Sequence, residues 1–188
     1  MLLLALAGCA NPGPPPQLYG LRAAPPVAAV APLAGTQTLQ LLMPVRLPEA
    51  LARDAQLLPQ GQSGLVALGG HRWAEPLVDA VPRLLRQDLA LLLGQARVWT
   101  APLPAGVTPT RLLRVEVLQL QAAADRRTVQ LQARWSLADA GGGAAVAAPL
   151  VRLAQIDAPS SGPEPDALVA AHRLALWRLA EQVAAELR

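Results

Sequence analysis

From Val129 to Leu137 an apolar residue stands at every second position. Val129, Leu131, Ala133, Trp135 and Leu137 alternate with Gln130, Gln132, Arg134 and Ser136. A period of two sends one set to each side of a strand, so this segment belongs in a sheet with one buried and one solvated face. That arrangement is typical of antiparallel sheets. The flanking sequence continues the theme. Residues 111–121 form a longer strand whose apolar phase moves from Leu113, Val115 and Val117 to Leu118 and Leu120. A slip of phase inside one strand predicts a β-bulge or strong twist. Asp139-Ala140-Gly141-Gly142-Gly143 reads as a hairpin turn and residues 145–156 as the next strand.

Earlier strands are shorter. Leu39, Leu41, Met43, Val45 and Leu47 alternate, but Pro44 cannot donate to a ladder, so that end is expected at an edge or bulge. Leu57-Leu58 and Leu65–Leu68 flank the turn Gln60–Gly64 as two short strands. Tyr19-Gly20-Leu21 opens a first strand, and Arg97–Ala101 forms another.

Two segments change period. Residues 73–93 read as a helix, with Trp73, Leu77, Val81, Leu84, Leu85 and Leu92 on one face and Glu75, Asp79, Arg83, Arg86 and Gln87 on the other. Pro82 should kink it or end its first part, and Gly94 should stop it. Asp88 falls inside the apolar arc. It is either a structural carboxylate that pairs with an Arg or caps backbone, or a contact point for a partner. Residues 167–187 form the last helix, with Asp166 as N-cap. Its apolar stripe carries Leu168, Val169, His172, Leu176, Leu179, Val183 and Leu187, with Leu174 and Trp177 on the other side. The expected fold is α+β: an antiparallel β-meander sheet with two helices packed on it.

The N-terminus constrains location. An apolar run, Met1 to Leu6, ends in Leu6-Ala7-Gly8-Cys9, the pattern of a bacterial lipobox, and Cys9 is the only cysteine. Small Ala7 and Gly8 suit a signal-peptide cleavage site after Gly8, and the Cys9 thiol is the nucleophile that would take a diacylglyceryl lipid. Each buried methylene contributes about 0.8 kcal/mol, so two or more chains anchor firmly where one does not. No basic residue precedes the run, which is shorter than the ~7–15 apolar residues of a standard signal. The natural start is therefore expected upstream of Met1. Ala10 rather than Asp after the cysteine favours the outer membrane. Residues 1–9 are thus read as a signal segment, 10–18 as a Pro-rich tether and 19–188 as one domain.

Composition narrows the function. All 16 basic residues are Arg, and they are scattered without interleaved aromatics, which argues against nucleic acid. No later segment has about 18 uninterrupted apolar residues, so none reads as a transmembrane helix. His71 and His172 are the only histidines, too few for a convincing zinc site once Cys9 is lipidated. Ser63, Ser136, Ser160 and Ser161 lack a nucleophile elbow, and Gly141–Gly143 lack a following Lys-Ser/Thr. No catalytic residues, metal ligands or cofactors are assigned beyond the covalent lipid.

Several elements in this order resemble a known family. They are the lipobox at Cys9, Tyr19-Gly20-Leu21, the strand ending in Leu47-Pro48-Glu49-x-Leu51-x-Arg53, Arg72-Trp73-Ala74-Glu75-Pro76-Leu77, the alternating strand with Trp135, and the terminal helix. Together they are similar to the PqiC-like family, the ABC-type transport auxiliary lipoprotein component. Ala50, the segment Gln56–Gln60 and Pro82 depart from its usual pattern. The resemblance implies a periplasm-facing outer-membrane lipoprotein that works with MCE-domain proteins and, in some systems, an ABC transporter. Such systems move phospholipid or other hydrophobic molecules between membranes and support envelope integrity. The expected partner surface is Trp73, Glu75 and Pro76, with Trp177 as a second interface, and a homo-oligomer is compatible with it. Trp73 as a core anchor, Glu75 as an N-terminal helix charge and Trp177 packed on the N-terminal link are the structural alternatives. Competing functions are a structural lipoprotein of a secretion or polysaccharide-export assembly, and a lipid-binding carrier.

Overall fold

The computed structural model describes residues 14–27, 31–141 and 148–187. Within them the chain forms β1 (Gln17–Tyr19), β2 (Leu39–Leu41), β3 (Ala55–Gln60), β4 (Gly64–Trp73), α1 (Leu77–Leu93), β5 (Val98–Trp99), β6 (Arg111–Ala122), β7 (Thr128–Asp139), β8 (Leu150–Pro159) and α2 (Pro165–Ala185). Short 3₁₀ turns precede β3 and β5.

The fold is α+β. Its centre is the meander β6-β7-β8, paired antiparallel in long register, with Val115 opposite Trp135 and Leu131 opposite Ile156. The register shifts between Val117 and Gln119, where the change of apolar phase predicts it. Leu118 is thereby turned to solvent, while Val117 and Leu120 both stay in the core. Alternation along β7 is obeyed: all five of its predicted inner residues are buried.

Beyond the meander the topology is richer than the sequence pattern alone indicates. β2 runs parallel to β6, and β5 runs parallel to β2, giving the order β5-β2-β6-β7-β8. A second sheet has the order β1-β4-β3, in which β3 and β4 form an antiparallel hairpin and β1 lies parallel to β4. Parallel neighbours need long crossover connections. Here the chain between β2 and β6 supplies one, through the hairpin, α1 and β5. Period two identifies a strand but not its neighbour.

Boundaries also move. β2 stops at Leu41; the chain bulges around Pro44 and rejoins β6 by a parallel bridge from Arg46 to Glu116. β1 begins at Gln17, so the last two residues read as tether are strand. Trp73 closes β4 instead of opening a helix. Pro76 is the reason that the helix does not reach back to it: the residue before a proline, Glu75, is pushed out of helical geometry, and Pro76 itself is the N-cap of α1. α1 then runs through Pro82 without a break. The proline forfeits only one early ladder bond, and its ring is buried. Gly94 ends the helix at φ 109°, a geometry that favours glycine. At α2 the cap position is Glu164, followed by Pro165, and Asp166 sits in the first turn beside the positive helix end. The predicted turn at 139–143 and the start of the strand at 145 fall partly on residues 142–147, outside the described residues.

The core lies between the inner face of the larger sheet and the helix pair. α2 crosses β6–β8, and α1 packs against α2 and β5. Because α2 has neighbours on several sides, its predicted stripe and Trp177 are buried and Leu174 is partly buried, while Asp166, Ala170, Glu181, Gln182 and Ala185 face solvent.

Candidate functional site

Three places bear on function: the strap that carries the N-terminus into the domain, the corner between β4 and α1, and a small polar spot in the core.

The strap begins at β1 and continues over the helix pair. The Arg173 guanidinium of α2 is its main fastening. Nε donates to the Arg22 carbonyl at 2.8 Å, while Nη1 and Nη2 donate to the two carboxylate oxygens of Asp88 at 2.7 and 2.5 Å. Gln87 of α1 adds a bond to the Ala23 carbonyl. Asp88 is fully buried and Arg173 is 4% exposed. Burial pushes the Asp88 carboxyl up from its ordinary value, and the Arg173 hydrogen bond and charge oppose that rise. Asp88 is therefore the structural carboxylate paired with an arginine, one of its two sequence readings. Further along, Arg97 donates to the carbonyls of Leu33, Gln37 and Leu93 at 2.8–2.9 Å and ties residues 33–37, ahead of β2, to the end of α1. Strap and α2 together frame an open groove of about 540 Å³, lined by Tyr19, Arg22, Pro25, Asp166, Val169 and Arg173.

The corner carries the predicted partner residues. Trp73 is 7% exposed and meets His172 edge-on, with ring centroids 5.3 Å apart, so it anchors the core. Glu75 is half-buried and pairs with Arg83 of α1, and Pro76 is exposed. Of the predicted surface, only Glu75 and Pro76 face outward.

Trp177 does not form an interface. It is 1% exposed. It follows Arg173 by one helical turn, on the side where Arg173 meets α1, so the second helix covers the face that a single-helix wheel leaves open. Cys9 and its cleavage residues Leu6, Ala7 and Gly8 lie outside the described residues.

The polar spot joins Gln56 and His172 at a cavity of about 40 Å³ beside Trp73, Leu58 and Leu120. His172 Nδ1 lies 2.7 Å from the Leu168 carbonyl, which can only accept. Nδ1 therefore carries the proton, and Nε2 is the acceptor. Burial lowers the imidazole to about 4, so it is neutral at pH 7. Gln56 Nε2 is buried without a protein partner. A cavity of this size accepts water but is far below the ~300 Å³ of a ligand pocket. His71 stands elsewhere, in β4 beside β1, where its Nδ1 meets the Tyr19 hydroxyl at 3.2 Å. Among the described residues no three metal-binding side chains gather. No helix there is long and apolar enough to cross a membrane.

Gln56 and Arg97 had no signal in the sequence. Arg97 binds the carbonyls of Leu33 and Gln37 and Gln56 shares a cavity with His172, partners far away along the chain.

These features define a small α+β module strapped to its own N-terminal segment. The chain belongs to the family of the ABC-type transport auxiliary lipoprotein component, whose profile matches residues 19–184. Two solved structures share the fold. One is a crystal structure of an uncharacterized protein, 19% identical with a TM-score of 0.71, covering 93% of this chain and 100% of that one. The other is a crystal structure of a protein from Xanthomonas campestris, 18% identical with a TM-score of 0.67, covering 91% and 95%. No curated protein matches the chain.

Proposed function

We propose that this protein is an outer-membrane lipoprotein, acylated at Cys9, that serves as the accessory subunit of an MCE/ABC-type lipid transport system. It docks transport components at the outer membrane, faces the periplasm and supports envelope integrity. The observation that carries this reading is the family match over residues 19–184 placed directly behind the lipobox. Two features support it. The core cavity of about 40 Å³ is too small for acyl chains and the groove of about 540 Å³ beside the strap is open to solvent, which suits a docking part better than an acyl-chain carrier. The strap, held by Arg173 and Arg97, gives a lipidated N-terminus a firm junction with the domain. Glu75 and Pro76, on an outward corner, are the proposed partner contacts.

The test is cross-linking in intact cells followed by purification through this chain. Recovery of an MCE-domain protein from the outer-membrane fraction, and a leaky envelope on deleting the gene, are the expected results. Recovery of secretion or polysaccharide-export components instead would replace the reading.

A further inference from the structure

The β3–β4 hairpin has no evident role in docking as described, yet its composition is unusual. From Ala55 to Gly70 sixteen consecutive residues carry no charge. At its far end Leu65 and Val66 are 48% and 42% exposed, next to the apex Gln60–Gly64. Charged groups appear only at its base, where Arg72 pairs with Asp54 at 2.5 Å beside Arg53.

The direction of this hairpin relative to the N-terminus follows from the sheet. β1 is parallel to β4, with Gln17 opposite His71 and Tyr19 opposite Trp73. Chain entering β1 therefore arrives from the side on which β4 descends from its apex. Cys9 lies eight residues before Gln17. Covalent geometry limits that stretch to about 26–29 Å. Gly64 lies seven residues before His71. At strand rise that is about 23 Å, less whatever the irregular register near Leu68–His71 takes up. The N-terminal end of β1 and the hairpin apex thus lie on one side of the domain, and eight residues are long enough to let Cys9 come level with the apex.

We infer that the apex of the β3–β4 hairpin, through Leu65 and Val66, rests in the interfacial zone of the same bilayer that holds the lipidated N-terminus. This rests on the acylation of Cys9 in the proposed function. The occupant is a lipid surface for three reasons. The covalent reach allows the bilayer to meet the apex, the apex offers apolar side chains without an ion to desolvate, and the first charges stand back at the base. The contact fixes the orientation of the domain, because an anchor and a second touch point stop it swinging freely.

The experiment uses the full lipidated chain in phosphatidylethanolamine–phosphatidylglycerol vesicles. With Cys9 acylated, Val66→Cys supplies the one free thiol for a nitroxide, and Leu153→Cys on the outer face of β8 is the control. The expected result is a higher ratio of oxygen to nickel-chelate collisions at position 66 than at 153, lost on adding Leu65→Asp, with flotation unchanged. An aqueous ratio at position 66 in floating protein overturns the inference and leaves the lipoprotein reading intact. Spin–spin broadening at an aqueous position 66 overturns it too, in favour of a second copy at the apex. Protein that does not float removes the acylation reading and this inference with it.

Discussion

Removing Arg173 tests the strap most directly. In Arg173→Met the Asp88 carboxylate keeps its place at zero exposure but loses both guanidinium bonds, and the Arg22 carbonyl loses its donor. Breaking a buried pair from one side typically costs about 3–5 kcal/mol, because a charge remains without compensation. Each orphaned carbonyl adds about 1 kcal/mol, less where water reaches it. The expected loss is therefore about 4 kcal/mol, a large share of the ~5–15 kcal/mol that holds a domain together. Replacing both partners, Asp88→Leu with Arg173→Met, removes the stranded charge and should recover most of that loss, leaving a deficit of about 1 kcal/mol from the Arg22 carbonyl. Urea denaturation of the two single variants, the double variant and the parent closes the cycle. Limited proteolysis near Ala23 reports the strap separately and should accelerate in both Arg173 variants. A loss below about 1 kcal/mol for Arg173→Met would refute the claim that this pair is a buried, tightly coupled fastening.

His172 makes stability fall in acid. Its folded value of about 4 lies below the ordinary 6.5, so the unfolded chain binds the proton more readily. Its contribution is fully present above pH 6.5 and is lost as pH falls toward 4, by about 3 kcal/mol in all. Thermal melts of the parent and His172→Gln across that window should show a steeper decline for the parent. Trp177→Ala should cost about 3–5 kcal/mol, as for a core aromatic, whereas an exposed interface residue would change urea stability by under about 0.5 kcal/mol. Glu75→Ala breaks an exposed pair with Arg83 and should leave the melting temperature nearly unchanged, while reducing cross-links to the docked partner. Cys9→Ser should keep the fold, seen as an unchanged melting temperature, but lose acyl label and move to the soluble fraction.

The parts of the fold that were readable in advance depend on local periodicity. β7, the phase slip of β6, the turn between β3 and β4, and the stop at Gly94 follow from residues a few positions apart. Asp88 was readable as a structural carboxylate because a charge within an apolar arc needs a partner, though Arg173 could not be named as that partner. The misplacement of Trp177 has a definite cause. A wheel describes one helix against one surface, and α2 is enclosed by the sheet on one side and α1 on another. Trp73 fits the apolar face of a helical wheel, yet Pro76 forbids helix at the position before it and Trp73 ends β4. The parallel pairings and the Gln56–His172 cavity join segments far apart in sequence, and no local pattern encodes them.

The pairing of β1 has a mechanical side. Its three residues lie alongside His71–Trp73, running the same way. A tug on the chain ahead of Gln17 acts along the strand axis, so it loads the rungs of this ladder together, in shear. The alternative geometry, a strand peeled sideways like a zipper, would open them one at a time under a smaller force. The short strand is therefore built like a lap joint, and strain entering from the leash passes into β4 and onward to Trp73 in the interior.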